Sequence, residues 1–246
     1  VRRTSRRATG ALTRLLVGKW WAPGSGEWLR AYLTSALTTS SRPQLVEGNP
    51  AMTTIANPRL PTRPEFAAKM KPAELELFDL GTHEAGHAIR GLLRGGEIAT
   101  AGVYQGRTTG TQGRTRFRQP FAHLDFANVA YAGPHAQARW LHGDRPSVGA
   151  VDAVLADGGC HDQAGLRRAF EASGGLLTVD HPAEDHLIRR CWPSVLALAA
   201  QLFQQGEVDH DAVLKSLGLT RANAAIGLAM IRSGESPRLH LAHQRF

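Results

Sequence analysis

Cysteine is nearly absent from this chain: Cys160 and Cys191 are the two thiols among 246 residues. Two cysteines cannot build a disulfide framework, and no C-x-x-C pair exists, so a reducing, cytoplasmic setting is expected. Long apolar runs are lacking too. No stretch approaches the ~20 residues that cross a bilayer. Arg14 and Lys19 interrupt the segment where a signal peptide would need its apolar centre. A G-x-x-x-x-G-K-[ST] phosphate loop is missing, which excludes an ATP site of that type. Acidic residues are the scarcer charge, 21 against 29 Lys and Arg, giving a net +8. Residues 1–51 hold eight Lys or Arg and two Asp or Glu, so +6 of that excess lies there and +2 elsewhere. A basic nucleic-acid face on the folded part is therefore not expected.

Hydrophobic residues at 42% and charged residues at 20% are ordinary for a globular chain that buries a core. Residues 1–51 alternate Arg-rich, Ser/Thr-rich and Gly/Pro-interrupted pieces without a sustained period and read as a disordered basic tail. Met52 is a plausible start site, and truncation to it is expected to leave the thermal midpoint unchanged. Residues 52–71 read as a proline-containing linker, because Pro58, Pro61 and Pro64 favour extended chain over helix.

From residue 72 the pattern is mainly helical with one small β element. Pro72 suits a first helical turn, and Phe78, Ala85, Ile89, Leu92 and Leu93 make an apolar stripe that ends at Gly95-Gly96. Residues 97–119, rich in Gly, Thr and Arg, read as short strands or a hairpin. A helix over 121–142 is expected, kinked or broken at Gly133-Pro134. Residues 143–159 read as a loop, 162–170 as a helix, and 183–205 as one long amphipathic helix bent at Pro193. Asp209 or Asp211, and then Thr220, are candidate caps of two further helices. Residues 218–246 are expected to be a C-terminal helix and tail.

Within the first stripe stands His83-Glu84-Ala85-Gly86-His87, an H-E-x-x-H motif. On a helix this spacing sets two imidazoles on one face, one turn apart, able to share a metal ion. Glu84 between them can serve a metal-bound water as its base. A catalytic zinc site takes three protein ligands and keeps one position open. The third ligand is not in the motif, because Leu93 stands where a zincin histidine would be, six residues after His87. The best candidate is Asp162, which follows Gly158-Gly159 and opens a helix, with its neighbour His161 as a competitor.

The string His83-Glu84-Ala85-Gly86-His87-Ala88 resembles the peptidase domain of FtsH-type zinc metalloproteases. In that family a Gly/Ala-rich helix follows, and Ala132-Gly133-Pro134-His135-Ala136-Gln137 is similar to it. An aspartate ligand after a glycine-containing turn comes next, and Asp162 matches that position. The resemblance covers residues 72–217. It implies a zincin-like helical metallopeptidase domain, Zn²⁺ held by His83, His87 and Asp162, and Glu84 as the catalytic base. The ATPase module and membrane anchor of that family have no counterpart, so the implied protein is a free-standing, ATP-independent peptidase domain acting on peptides or proteins. One departure is Gln137, where the family carries an acidic residue. Another is His161, where it carries a small or amide side chain.

The expected function is zinc-dependent hydrolysis of peptide bonds, with a strand near Val103 serving as the edge that pairs with extended substrate. The alternative is a non-catalytic metal-binding regulatory or interaction protein of the same fold. Cys160 reads as a small buried thiol. His123, His135 and His142 read as surface or helix-packing residues, Trp192 as core, and the arginines between 107 and 118 as a solvated strand face.

Overall fold

The structure, a computed structural model, describes residues 60–106, 110–176 and 178–237. The expected tail at 1–51, the first part of the expected linker at 52–59 and the C-terminal 238–246 lie outside the described residues. Helix α1 is Arg63–Ala67, α2 is Pro72–Leu93, β1 is Ile98–Gly106 and β2 is Gly110–Phe117. Four helices follow: α3 (His123–His142), α4 (Val148–Asp157), α5 (Cys160–Ala172) and α6 (His181–Arg190). The chain continues through α7 (Trp192–Gln205), β3 (Glu207–Val208), α8 (His210–Ser216) and α9 (Ala224–Arg232). The architecture is mainly helical with one small antiparallel sheet.

Helix α2 is the axis of the core. Pro72 stands in its first turn, and the Lys71 N–H donates to Glu74 Oε2 at 3.0 Å, which satisfies one otherwise unpaired amide. From Gly81 to Leu93 every residue of α2 is buried. Helices α3 and α7 and the sheet enclose it. Phe66, Phe78, Trp140 and Phe203 form an aromatic cluster, with ring centroids 4.7 to 6.0 Å apart, that ties α1, α2, α3 and α7 together.

Several expectations change here. Pro64, read as extended chain, lies in the first turn of α1, where its missing N–H costs nothing. Residues 143–159 are not all loop. Ser147 caps α4 by accepting from the Ala150 N–H at 3.2 Å, and Val151, Val154 and Leu155 make a short i, i+3, i+4 stripe against Tyr131 and Ala138. The glycines flanking that segment hid a ten-residue helix. The expected long helix over 183–205 is two helices that part at Cys191, because Pro193 lacks an N–H to continue the first and suits the opening turn of the second. Helix α3 runs through Gly133-Pro134 without a break. Asp209 caps α8 by accepting from Ala212 at 3.0 Å. Thr220 caps nothing: α9 starts at Ala224, and the Thr220 N–H donates to Asn223 Oδ1.

Strand order is β2-β1-β3, all antiparallel. Strand β1 is thus the middle strand, and the Val103 N–H is spent on Gly206 O at 2.8 Å. The expected edge near Val103 is corrected to β2, whose second side has no strand partner among the described residues.

Candidate metal centre

The crossing of α2 and α3 is built from small residues. A Cβ on Gly86 would lie 2.5 Å from Ala132 O and 2.8 Å from Ala136 Cβ. A Cβ on Gly133 would lie 2.3 Å from His87 Nε2. The Gly/Ala-rich stretch of α3 is therefore a surface shaped to receive the motif helix and one of its imidazoles.

His83 and His87 sit one turn apart on α2, both buried, with Nε2 atoms 3.0 Å apart. Asp162, in the first turn of α5, brings Oδ2 to 3.0 Å from His83 Nε2 and Oδ1 to 3.2 Å from His87 Nε2. His161 is exposed. Of the two candidate third donors, Asp162 is the one beside the imidazoles. All three side chains offer donor atoms within 4.8 Å of one another, a group that could hold a metal ion.

The far nitrogens of the two rings settle how they present themselves. The carbonyl of Val129 can only accept, so His87 Nδ1, 2.7 Å away, carries a proton and donates it. Gln137 Oε1 lies 2.9 Å from His83 Nδ1 and can take the same role. Neutral rings fixed in this way turn bare Nε2 lone pairs toward each other and toward a carboxylate. Such a set of acceptors could hold a cation. The spacing suits one: two ligand atoms about 2.05 Å from a tetrahedral ion stand about 3.3 Å apart, close to the separations here. Without a metal a proton takes that part. Burial works against a charge on His87, but Asp162 and Glu84 outweigh it and the imidazole is raised to about 9. Burial likewise opposes ionisation of Asp162, yet the two histidines hold its carboxyl well below the usual carboxylate range.

Glu84 is buried on the same helix. Its Oε2 accepts from Thr115 Oγ1 of β2 at 2.6 Å, and a Cβ on Gly113 would come within 2.4 Å of its Oε1. Glu84 is thus held against the edge strand. Two charged groups frame the centre. Asp79, one turn before His83, accepts from Arg63 Nη2 at 2.7 Å and Trp140 Nε1 at 2.7 Å. Arg90, just after His87, makes a paired contact with Glu184 of α6, with Nε to Oε2 at 2.7 Å and a second contact from Nη2 to Oε1.

Sequence reasoning missed Asp79, Arg90, Thr115 and Glu184. A signal for two of them was present: Asp79, His83, His87 and Arg90 follow one another at helical spacing, a polar stripe on a helix otherwise read as apolar. Thr115 and Glu184 carried no comparable mark. Cys160, expected to be buried, is exposed, while Cys191 is buried and its thiol is pushed up to about 12 by that burial. His142 is exposed, His135 is buried and Trp192 lies in the core. No helix among the described residues is long and apolar enough to cross a membrane. No protein-family model, no curated protein and no solved structure matches this chain.

Proposed function

We propose that this protein is a zinc-dependent peptide hydrolase of zincin-like fold, related to the FtsH-type peptidase domains that its motif resembles. The observation that carries the reading is the convergence of two imidazole Nε2 atoms and one carboxylate beside Glu84. His83, His87 and Asp162 hold the ion. When bound, zinc acidifies a water and polarises a carbonyl.

Glu84 does the proton work. Its Oε2 is fixed by Thr115, which leaves Oε1 to take a proton from the attacking water. The water oxygen bonds to the peptide carbonyl carbon, the C–N bond breaks, and Glu84 returns the proton to the leaving nitrogen. Strand β2, which touches Glu84 through Thr115 and Gly113, offers its free edge to an extended substrate by strand addition.

One observation favours the non-catalytic alternative. The Thr115 hydroxyl gives Glu84 a structural use as an anchor between α2 and β2, which needs no turnover. Peptide hydrolysis by wild type and by Glu84→Gln, each with its zinc content measured, decides between them. The hydrolase reading expects the variant to keep its zinc and lose activity by about 10²–10⁴-fold or more. Equal activity in both, or none in either, sinks it.

A further inference from the structure

Strand β2 alternates between two environments. Thr111, Gly113, Thr115 and Phe117 are half-buried, whereas Gln112, Arg114 and Arg116 are exposed. The Thr115 and Gly113 side of the strand meets Glu84. Arg114 and Arg116 therefore stand two residues apart on the opposite, outer face, about 6.8 Å along the strand. Across the sheet they are level with Gly102 and Thr100, neither of which supplies a charge. The acid that shares this face, Glu207 on β3 opposite Gly102, already accepts the Tyr104 hydroxyl at 2.6 Å. Glu97 is occupied by Arg118 at 2.8 Å. Among the described residues neither Arg114 nor Arg116 has an ion-pair partner. Two like charges are thus held side by side on a free sheet edge whose other face carries the base of the centre.

Resting on the peptidase reading above, we propose that Arg114 and Arg116 select extended peptides with acidic side chains at alternate positions across from them. A strand added to β2 runs about 4.8 Å away, and its side chains alternate in phase with those of β2. Its outward residues face Arg114 and Arg116. The residue between them turns inward, level with Thr115, toward Glu84. The recognised pattern is acid-x-acid, with the inward position left to the centre. Charge on an edge strand has another use, to repel a second copy of the chain. That role requires no preference among peptides.

The test uses the full-length, zinc-loaded Glu84→Gln protein and fluorescein-labelled extended peptides that differ only in having Glu, Gln or Lys at alternate positions. Fluorescence anisotropy measures binding, and wild type is assayed for cleavage of the same three. Two cross-strand ion pairs predict about 10-fold tighter binding of the Glu peptide than of the Gln peptide. That advantage should shrink as salt rises from about 0.05 M to about 0.5 M. Arg114→Gln/Arg116→Gln should erase the preference, and Arg114→Glu/Arg116→Glu should turn it toward the Lys peptide. Cleavage by wild type with no charge preference, and no shift in either double variant, overturns this proposal and leaves the peptidase reading standing. Failure to bind or cut any of the three, with zinc in place, overturns both.

Discussion

Two polar clusters are buried along α2 within one turn of each other, and they are built on opposite rules. Arg90 and Glu184 complete one another: a guanidinium meets a carboxylate, donors meet acceptors, and no third party is needed. His83, His87 and Asp162 bring two imidazole nitrogens and a carboxylate to 3.0 to 3.2 Å of one another, a group that only a shared proton or a cation completes. The first cluster joins the motif helix to α6. The second could hold a metal ion. Burial alone does not separate the two, since all four α2 and α6 side chains are almost inaccessible. What separates them is the balance of donors and acceptors.

The largest expected effect tests that division. Arg90→Ala strands the Glu184 carboxylate, whose burial already raises its pKa against the pull of Arg90. Losing one partner of a buried pair should cost about 3–5 kcal/mol in denaturant unfolding. His83→Ala removes one of three converging acceptors and should cost the metal-free protein less than Arg90→Ala does, while abolishing most zinc binding. The reverse order of stabilities would make the histidine cluster a structural element.

Next in size is Gly133→Ala. Alanine is the better helix former by about 0.8–1 kcal/mol, but its methyl would displace the His87 imidazole. Zinc affinity should fall by about 10–100-fold, the range seen when ligand positioning is disturbed. Unchanged affinity on equilibrium dialysis would show that the α3 surface does not set the position of the ring. A smaller loss is expected from Thr115→Val, which keeps the shape and deletes one hydrogen bond to a carboxylate. Hydrolysis should drop by about 10-fold with zinc content unaltered. A drop in zinc instead would place Thr115 in metal retention.

The pH dependence is a separate test, in which two buried histidines on facing helices should act in opposite senses. His87 in the metal-free protein is raised from 6.5 to about 9, so its contribution is complete below about 6.5 and fades as pH rises through 9. His135 is lowered to about 4 by burial, in spite of Asp185 nearby, so it stays neutral in the fold and costs stability as pH falls from 6.5 toward 4. Thermal midpoints of chelated protein should fall on both sides. Zinc should flatten the alkaline side, because the ion takes the place of the His87 proton, and should not act through His135. An alkaline side that falls equally with and without zinc would contradict that assignment.

Much of this was legible in the residues. The motif helix announced itself, because Pro72, the apolar stripe and Gly95 mark its start, face and end. Asp162 could be offered as the third donor from a turn and a helix start, with His161 as its competitor; the packing of α5 against α3 turns the first toward the imidazoles and the second to solvent. Helix α4 was hidden because its apolar stripe is three residues long and glycines flank it. The break at Cys191 was hidden because the apolar period continues across it. Which strand forms the edge depends on β3, a two-residue strand that no local pattern betrays. Gly86 and Gly133 were visible as letters, yet their reason, a helix crossing too close for a methyl group, exists only once α2 and α3 meet.

The claim on which the rest depends is that His83, His87 and Asp162 form one metal centre. Zinc titration of metal-free protein, wild type beside Asp162→Ala and His161→Ala, measures it most directly. Wild type and His161→Ala should bind about one zinc per chain, and Asp162→Ala should bind too weakly to saturate. Equal zinc binding in wild type and Asp162→Ala, or loss in His161→Ala alone, would contradict it.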